Sequence, residues 1–287
     1  MAATPLTSNE VESDNPWAPL THELFRWLWL ASLVSHVGTW MQNVGAGWLM
    51  TVLSPSPLYV ALIQTATSFP VFLLSVPAGA AADIVDRRRL LIFTQALMLA
   101  AAGLLGWLTV IGKTTPMVLL LTTFALGIGA TLNNPAWQAI VPELVPRREL
   151  PQAISLNSVA FNLARAVGPA LGGLLVALFN PGAVFILNAL SFVGVIVVLY
   201  MWKRPKEEQS ASESESIVSA TWAGLRYVRY SPGMTNVLVR VGAFIIGGSA
   251  IWSMLPIVTE KELHGTAAGY GVLLGCLGAG PCWQQYF

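Results

Sequence analysis

The feature that most limits this chain is a succession of apolar runs, each long enough to cross a bilayer and each ended by a short break of turn-forming residues. A helix needs about 20 mostly apolar residues to span the hydrocarbon. Such runs occupy 25–49, 58–80, 90–111, 117–136, 153–177 and 183–201, with a seventh near 234–258. An eighth starts near Ala267 and gives out in Pro281-Cys282-Trp283-Gln284-Gln285-Tyr286-Phe287. Backbone polar groups in lipid must be satisfied within helices or closed barrels. These runs are too long and too continuous for barrel strands, which alternate over short distances. The expected class is therefore an all-α membrane protein. Composition agrees: 10% of the 287 residues are charged, against about 25% in soluble domains, and mean hydropathy is +0.64. Cys276 and Cys282 are the two cysteines, too few for a disulfide framework or a metal cluster.

The breaks set the topology. Ser54-Pro55-Ser56-Pro57, Gly112-Lys113-Thr114-Thr115-Pro116 and Asn180-Pro181-Gly182 are turn sequences. Links this short force successive helices to run antiparallel. Basic residues then fall on alternate links. One side collects Arg87, Arg88, Arg89, Arg147, Arg148, Lys203, Arg204, Lys206, Arg226 and Arg229, and the other has Lys113 and Lys261. By the positive-inside rule the rich side is cytoplasmic, and the N-terminus falls there too. The polar residues 1–22 lack a basic leader and are expected to be a disordered cytoplasmic tail. Residues 23–202 are expected to form a six-helix transmembrane bundle. Residues 203–233 read as a cytoplasmic linker carrying an amphipathic helix (Thr221 to Tyr230) before the seventh span. Residues 234–287 read as a truncated second bundle of about two helices. Six spans, a linker and further spans is the plan of a two-bundle transporter.

Two motifs narrow the class. Between the second and third runs stands Gly79-Ala80-Ala81-Ala82-Asp83-Ile84-Val85-Asp86-Arg87-Arg88-Arg89. On the fifth run stands Ala164-Arg165-Ala166-Val167-Gly168-Pro169-Ala170-Leu171-Gly172-Gly173. Both resemble motifs of the major facilitator superfamily, in particular the bacterial efflux branch that includes the enterobactin exporter. The stretch from Asn133 to Leu150 resembles the fourth-span exit of the same branch. In the first motif Gly79, Asp83, Arg87 and Arg88 match the family pattern and Arg89 extends the basic cluster. Ile84 replaces a usual arginine, and Asp86 stands at a usual glycine position. The resemblance implies a cytoplasmic latch in this motif. In the second, Gly168, Pro169, Gly172 and Gly173 match an antiporter motif, with Ala164 in place of its first glycine and Arg165 beside it. The resemblance implies a complete N-terminal six-helix bundle, the start of a C-terminal bundle, and a whole member with twelve spans, so the chain reads as C-terminally truncated. The expected function is secondary active, proton-coupled efflux of a small drug-like or siderophore-like compound across the bacterial inner membrane. The alternative is a non-transporting fragment or a membrane scaffold or regulatory protein.

Ionisable and polar groups within spans mark cavities or helix contacts. Arg165 lies about twelve residues into the fifth run, near its middle, and shares a face with Asn162. It could hold an anionic substrate, or brace the helix through Asp83. His36, Gln42, Asn43, Gln64, Asn133, Asn134 and Gln138 complete the candidate cavity. Glu143 and Glu149 are expected to pair near Arg147 and Arg148. The expected partners are membrane lipids, a small organic substrate and protons. No cofactor, metal, nucleotide or nucleic-acid motif is present in the sequence, and no enzyme constellation emerges: His22, His36 and His264 stand far apart.

Overall fold

The computed structural model describes residues 15–202, Trp222, Arg226, Tyr230 and 231–283. Among the described residues eight long helices follow one another: α1 Glu23–Leu53, α2 Pro57–Ile84, α3 Arg87–Val110, α4 Pro116–Leu144, α5 Leu150–Leu178, α6 Pro181–Met201, α7 Pro232–Ile257 and α8 Ala267–Trp283. Among the described residues there is no strand. The tail 1–14 and the linker lie outside the described residues, apart from Trp222, Arg226 and Tyr230, which are helical and exposed. Within the expected tail, Ala18–Thr21 forms a 3-10 turn ahead of α1.

The breaks that end each apolar run also start the next helix. Proline occupies the first turn of α2, α4, α5, α6 and α7, where its missing N–H costs nothing. Side chains cap four N-termini among the described residues. Asp86 accepts from the Arg89 amide at 2.8 Å, Asn180 from that of Ala183 at 2.9 Å, Thr115 from that of Val118 at 3.3 Å, and Thr266 from that of Gly269 at 3.4 Å. The helices run past the apolar windows at both ends. At 29 residues α4 is about 44 Å long, and the hydrocarbon takes about 30 Å of it.

Three pairings mark one end of the bundle. The start of α3 bonds to the end of α4 through Arg87 and Glu143, and to the end of α6 through Arg88. His22, before α1, bonds to Glu149, before α5. Each residue of these pairings precedes or opens an odd helix or closes an even one, which is what antiparallel succession requires. At the opposite end Thr109 meets Thr114, Gly182 meets Val110, and Lys261 reaches Pro55.

Side chains are sorted for lipid. Large apolar groups point outward: Phe72 is 84% exposed and Leu178 65%. The interior uses small and hydroxylated residues, including Ala78, Ala102, Ala164, Thr94 and Ser191. Without a hydrophobic drive between helices in lipid, close backbone packing carries the association. Helices α2 to α6 are long and apolar enough to cross a membrane. The sequence reading counted α1 equally, but α1 is the polar exception. Ser32, Ser35, His36, Thr39, Gln42 and Asn43 interrupt it, and α5 and α6 enclose it on two sides. The chain is a multi-pass membrane protein whose first six helices pack as one bundle, α7 and α8 beginning another.

Candidate functional site

The basic motif divides its work among three arginines. Successive helical residues point about 100° apart, so Arg87, Arg88 and Arg89 leave the helix toward different neighbours. Arg87 turns inward: its Nη1 donates to Glu143 Oε1 at 2.9 Å and to the Ala139 carbonyl at 3.0 Å. Arg88 turns toward α6 and donates from Nε to the Leu199 carbonyl at 2.7 Å and from Nη2 to that of Tyr200 at 2.9 Å. These carbonyls belong to a helix C-terminus, where a cation also complements the dipole. Arg89 is exposed, and its side chain meets no partner among the described residues.

Gly79 and Asp83 behave differently. A Cβ on Gly79 would meet nothing within 4 Å, so the close packing expected of this glycine is not made among the described residues. Asp83 is exposed and unpaired among the described residues. The pairing expected of the two glutamates is met by Glu149, which reaches Arg148, and is corrected for Glu143. Glu143 pairs with Arg87 of the motif, whereas buried Glu149 takes His22 at 2.8 Å and Arg148 at 3.6 Å.

The glycine-proline motif of α5 makes two seams on adjoining faces. Toward α1, a Cβ on Gly168 would lie 2.6 Å from Trp40 Cβ, and one on Gly172 would lie 2.7 Å from Met41 Cα. Fully buried Ala164 continues this face. Toward α8, a Cβ on Gly173 would crowd Ala267 and Gly271, and Cβ atoms on Gly271, Gly275 and Gly278 would crowd Pro169, Ala166 and Arg165 in turn. The two helices run antiparallel from the opposite end to mid-helix, backbone against backbone. Pro169 has no N–H, so the Arg165 carbonyl loses its partner four residues on. Gly278 sits beside that carbonyl, where a Cβ would come within 2.6 Å. The α8 glycines were not singled out in the sequence; their spacing, Gly271, Gly275 and Gly278, was the available signal.

Arg165 lies on the α8 face of α5. Its Nη2 donates to Asn162 Oδ1 at 3.1 Å, and its buried Nε has no partner among the described residues. A brace through Asp83 is not formed; Asn162 is the group Arg165 engages. His36 and Trp40 of α1 pack edge-on to Phe161 of α5, with centroids 5.7 and 6.3 Å away. His36, Asn162 and Arg165 therefore belong to one α1–α5 neighbourhood.

The other cavity candidates separate. Buried Gln42 accepts from Asn188 Nδ2 of α6 at 2.5 Å, so it ties helices together and does not face a cavity. Asn133 accepts from Thr94 Oγ1 and Gln95 Nε2 of α3, both at 3.1 Å, and is likewise a helix tie. Gln64 bonds Ser68 within α2, and Gln138 bonds Asn134 within α4. Asn134 and Gln138 stay exposed, while Gln64 and Asn43 are half-buried. No group of three or more His, Cys, Asp or Glu that could hold a metal occurs among the described residues.

A fold of antiparallel six-helix succession followed by a second set, with these two motifs, defines a major facilitator transporter. A family model of that superfamily, described as a transmembrane secretion effector, matches residues 14–285, and the chain belongs to this family. It is a family of transporters, not of enzymes. Relatives include the staphyloferrin A transporter of Staphylococcus aureus, 26% identical over 87% of this chain and 62% of the relative. The enterobactin exporter EntS of Escherichia coli is 24% identical over 91% of this chain and 64% of its own length. The multidrug efflux pump Tap of Mycolicibacterium fortuitum is 27% identical over 73% and 53%. A solved bacterial homologue of the human lysosomal transporter Spinster superposes with a TM-score of 0.67 at 13% identity, covering 90% of this chain and 60% of that one. The chain thus spans less than two thirds of the length of these relatives.

Proposed function

We propose that this chain takes part in secondary efflux of a small organic compound, drug-like or siderophore-like, driven by protons across a bacterial inner membrane. The observation that carries the reading is the α5–α8 seam. Helix α5 meets α8 through glycine-to-backbone contacts that run from the end away from the arginines to mid-helix. The same end is closed by Ile257 of α7 packed with Leu49 and Val60, and by Lys261 Nζ donating to the Pro55 carbonyl at 3.3 Å. Among the described residues, Gly79 and Asp83 at the basic end have no partner. Alternating access requires two bundles to rock about a central site, closed at one end while open at the other. In this reading the basic end is cytoplasmic, with the N-terminus beside it. When the far end opens, Gly79 and Asp83 become the contact points of a latch at the basic end.

The exporters and efflux pump among the relatives support the substrate class. Arg165 is the group placed to hold an anionic substrate, because it keeps a buried guanidinium N–H uncommitted and sits where α1, α5 and α8 converge. Asn134, Gln138 and the His36–Trp40–Phe161 cluster supply the polar and aromatic walls. Everted membrane vesicles test the proposal. A proton gradient should drive substrate movement of siderophore-like or amphipathic compounds in vesicles carrying the chain. Absence of flux from correctly inserted protein would overturn transport and favour a non-transporting membrane scaffold.

A further inference from the structure

The three arginines at the start of α3 leave charge over after their helix contacts are satisfied. Arg87 is balanced by Glu143. Arg88 and Arg89, by contrast, border one recess of about 450 Å³ on the outer surface, together with Ile92, Phe93 and Tyr200. The recess lies between the first turns of α3 and the last turn of α6. Arg88 reaches two carbonyls of α6 and lies 5.7 Å from the centroid of the Tyr200 ring. That fixes the guanidinium and leaves N–H groups of its outer edge unspent, since a guanidinium has five. Arg89 has no side-chain partner among the described residues. The carboxylate of Asp86 caps the α3 N-terminus, so an anion here would be held by the arginine side chains and not by helix amides.

The surroundings say what kind of anion this is. From Arg89 the exposed positions of α3 continue through Phe93, Ala96 and Ala100, one stripe along the helix. On α6 the exposed positions Leu190, Val193, Val197 and Tyr200 form the matching stripe. Phe93 is 60% exposed and Tyr200 70%. Both stripes face outward from the bundle and run into the membrane zone, so the recess opens onto acyl chains below and water above. An aromatic and two arginines at a helix end, over an apolar groove, match a phosphate headgroup with its tails attached. Basic pockets between spans at such an interface recognise anionic headgroups, and a paired arginine set suits phosphate geometry.

We infer that this recess binds the headgroup of an anionic phospholipid from the leaflet at the basic end, with Arg88 and Arg89 on the phosphate and Phe93 and Tyr200 against the glycerol and upper acyl chains. The inference rests on the membrane fold and on no step of transport, nor on which side the basic end faces. Its test reads binding alone, so it can fail while efflux stands, and the reverse.

The test is native mass spectrometry of the full chain released from detergent with phosphatidylglycerol, phosphatidylcholine or inorganic phosphate. Phosphatidylglycerol should be retained as a discrete one-lipid adduct that phosphatidylcholine and free phosphate do not form. Arg89→Glu should weaken that adduct by about tenfold or more, as expected for reversing a charge at the membrane surface. Arg89→Ala, the milder change, should weaken it less. Arg147→Glu, a charge reversal at the same end but away from the recess, should leave it intact; circular dichroism confirms folding of each variant. Equal retention of phosphatidylcholine, equal loss in Arg147→Glu, or phosphate binding as well as lipid would overturn the inference.

Discussion

Gln42 and Asn188 show how a polar pair is used inside this bundle. Both are buried, and Asn188 donates to Gln42 across the α1–α6 contact. Gly38 makes room for the pair, since a Cβ there would press on the Asn188 side chain. Removing one partner leaves the other unsatisfied in a medium without water, at about 1–3 kcal/mol, although polar pairs between membrane helices average nearer 0.6 kcal/mol. Asn188→Leu should therefore lower thermal stability in detergent measurably. The double variant Gln42→Met with Asn188→Leu should recover part of the loss, because neither polar group then remains. A double variant less stable than the sum of its parts would refute the tie. Asp83 is the opposite case. It is exposed and unpaired here, so Asp83→Asn should leave insertion and melting unchanged while reducing flux in vesicles. Unchanged flux would remove Asp83 from the latch.

At the scale of helices, glycine means different things at different places. Gly172 faces the α1 backbone at Met41, so even a methyl group must push two helices apart. Gly172→Ala should destabilise by about 1–3 kcal/mol, the usual cost of overpacking. Gly79 faces open space, and Gly79→Ala should be neutral or stabilising by up to about 1 kcal/mol through helix propensity. It should nevertheless slow transport if that helix end closes during the cycle. Melting curves of the two variants, run together, check the contrast; equal losses would contradict it. The same contrast explains what could be read from sequence. Helix positions and ends were legible because the apolar runs are long and their breakers, such as Asn180 and Thr115, are also N-caps. Antiparallel succession followed from link length. Rotation of each helix about its axis was not legible, since several polar residues on one run allow several facings. Gln42 and Asn133 therefore read as cavity groups although they tie helices. Glu143 read as a partner of nearby Arg147, when its true partner, Arg87, is distant in sequence and adjacent in space. The α8 glycines were hidden because that run fades into Pro281 and the polar residues after it.

For the molecule as a whole, the far end is the one held shut by packing. Helices α5 and α8 press together from that end to mid-helix, and Lys261 reaches over to Pro55. A transporter in this state must break the far seam to release substrate. Free Cys276 is exposed, so it and Cys282 are first replaced by serine. Cysteines introduced as Pro55→Cys and Lys261→Cys are then joined by a cleavable thiol cross-linker in vesicles. Efflux should stop when the link forms and return when it is cleaved. Cross-linked protein that exports at the rate of the unlinked form would contradict the account.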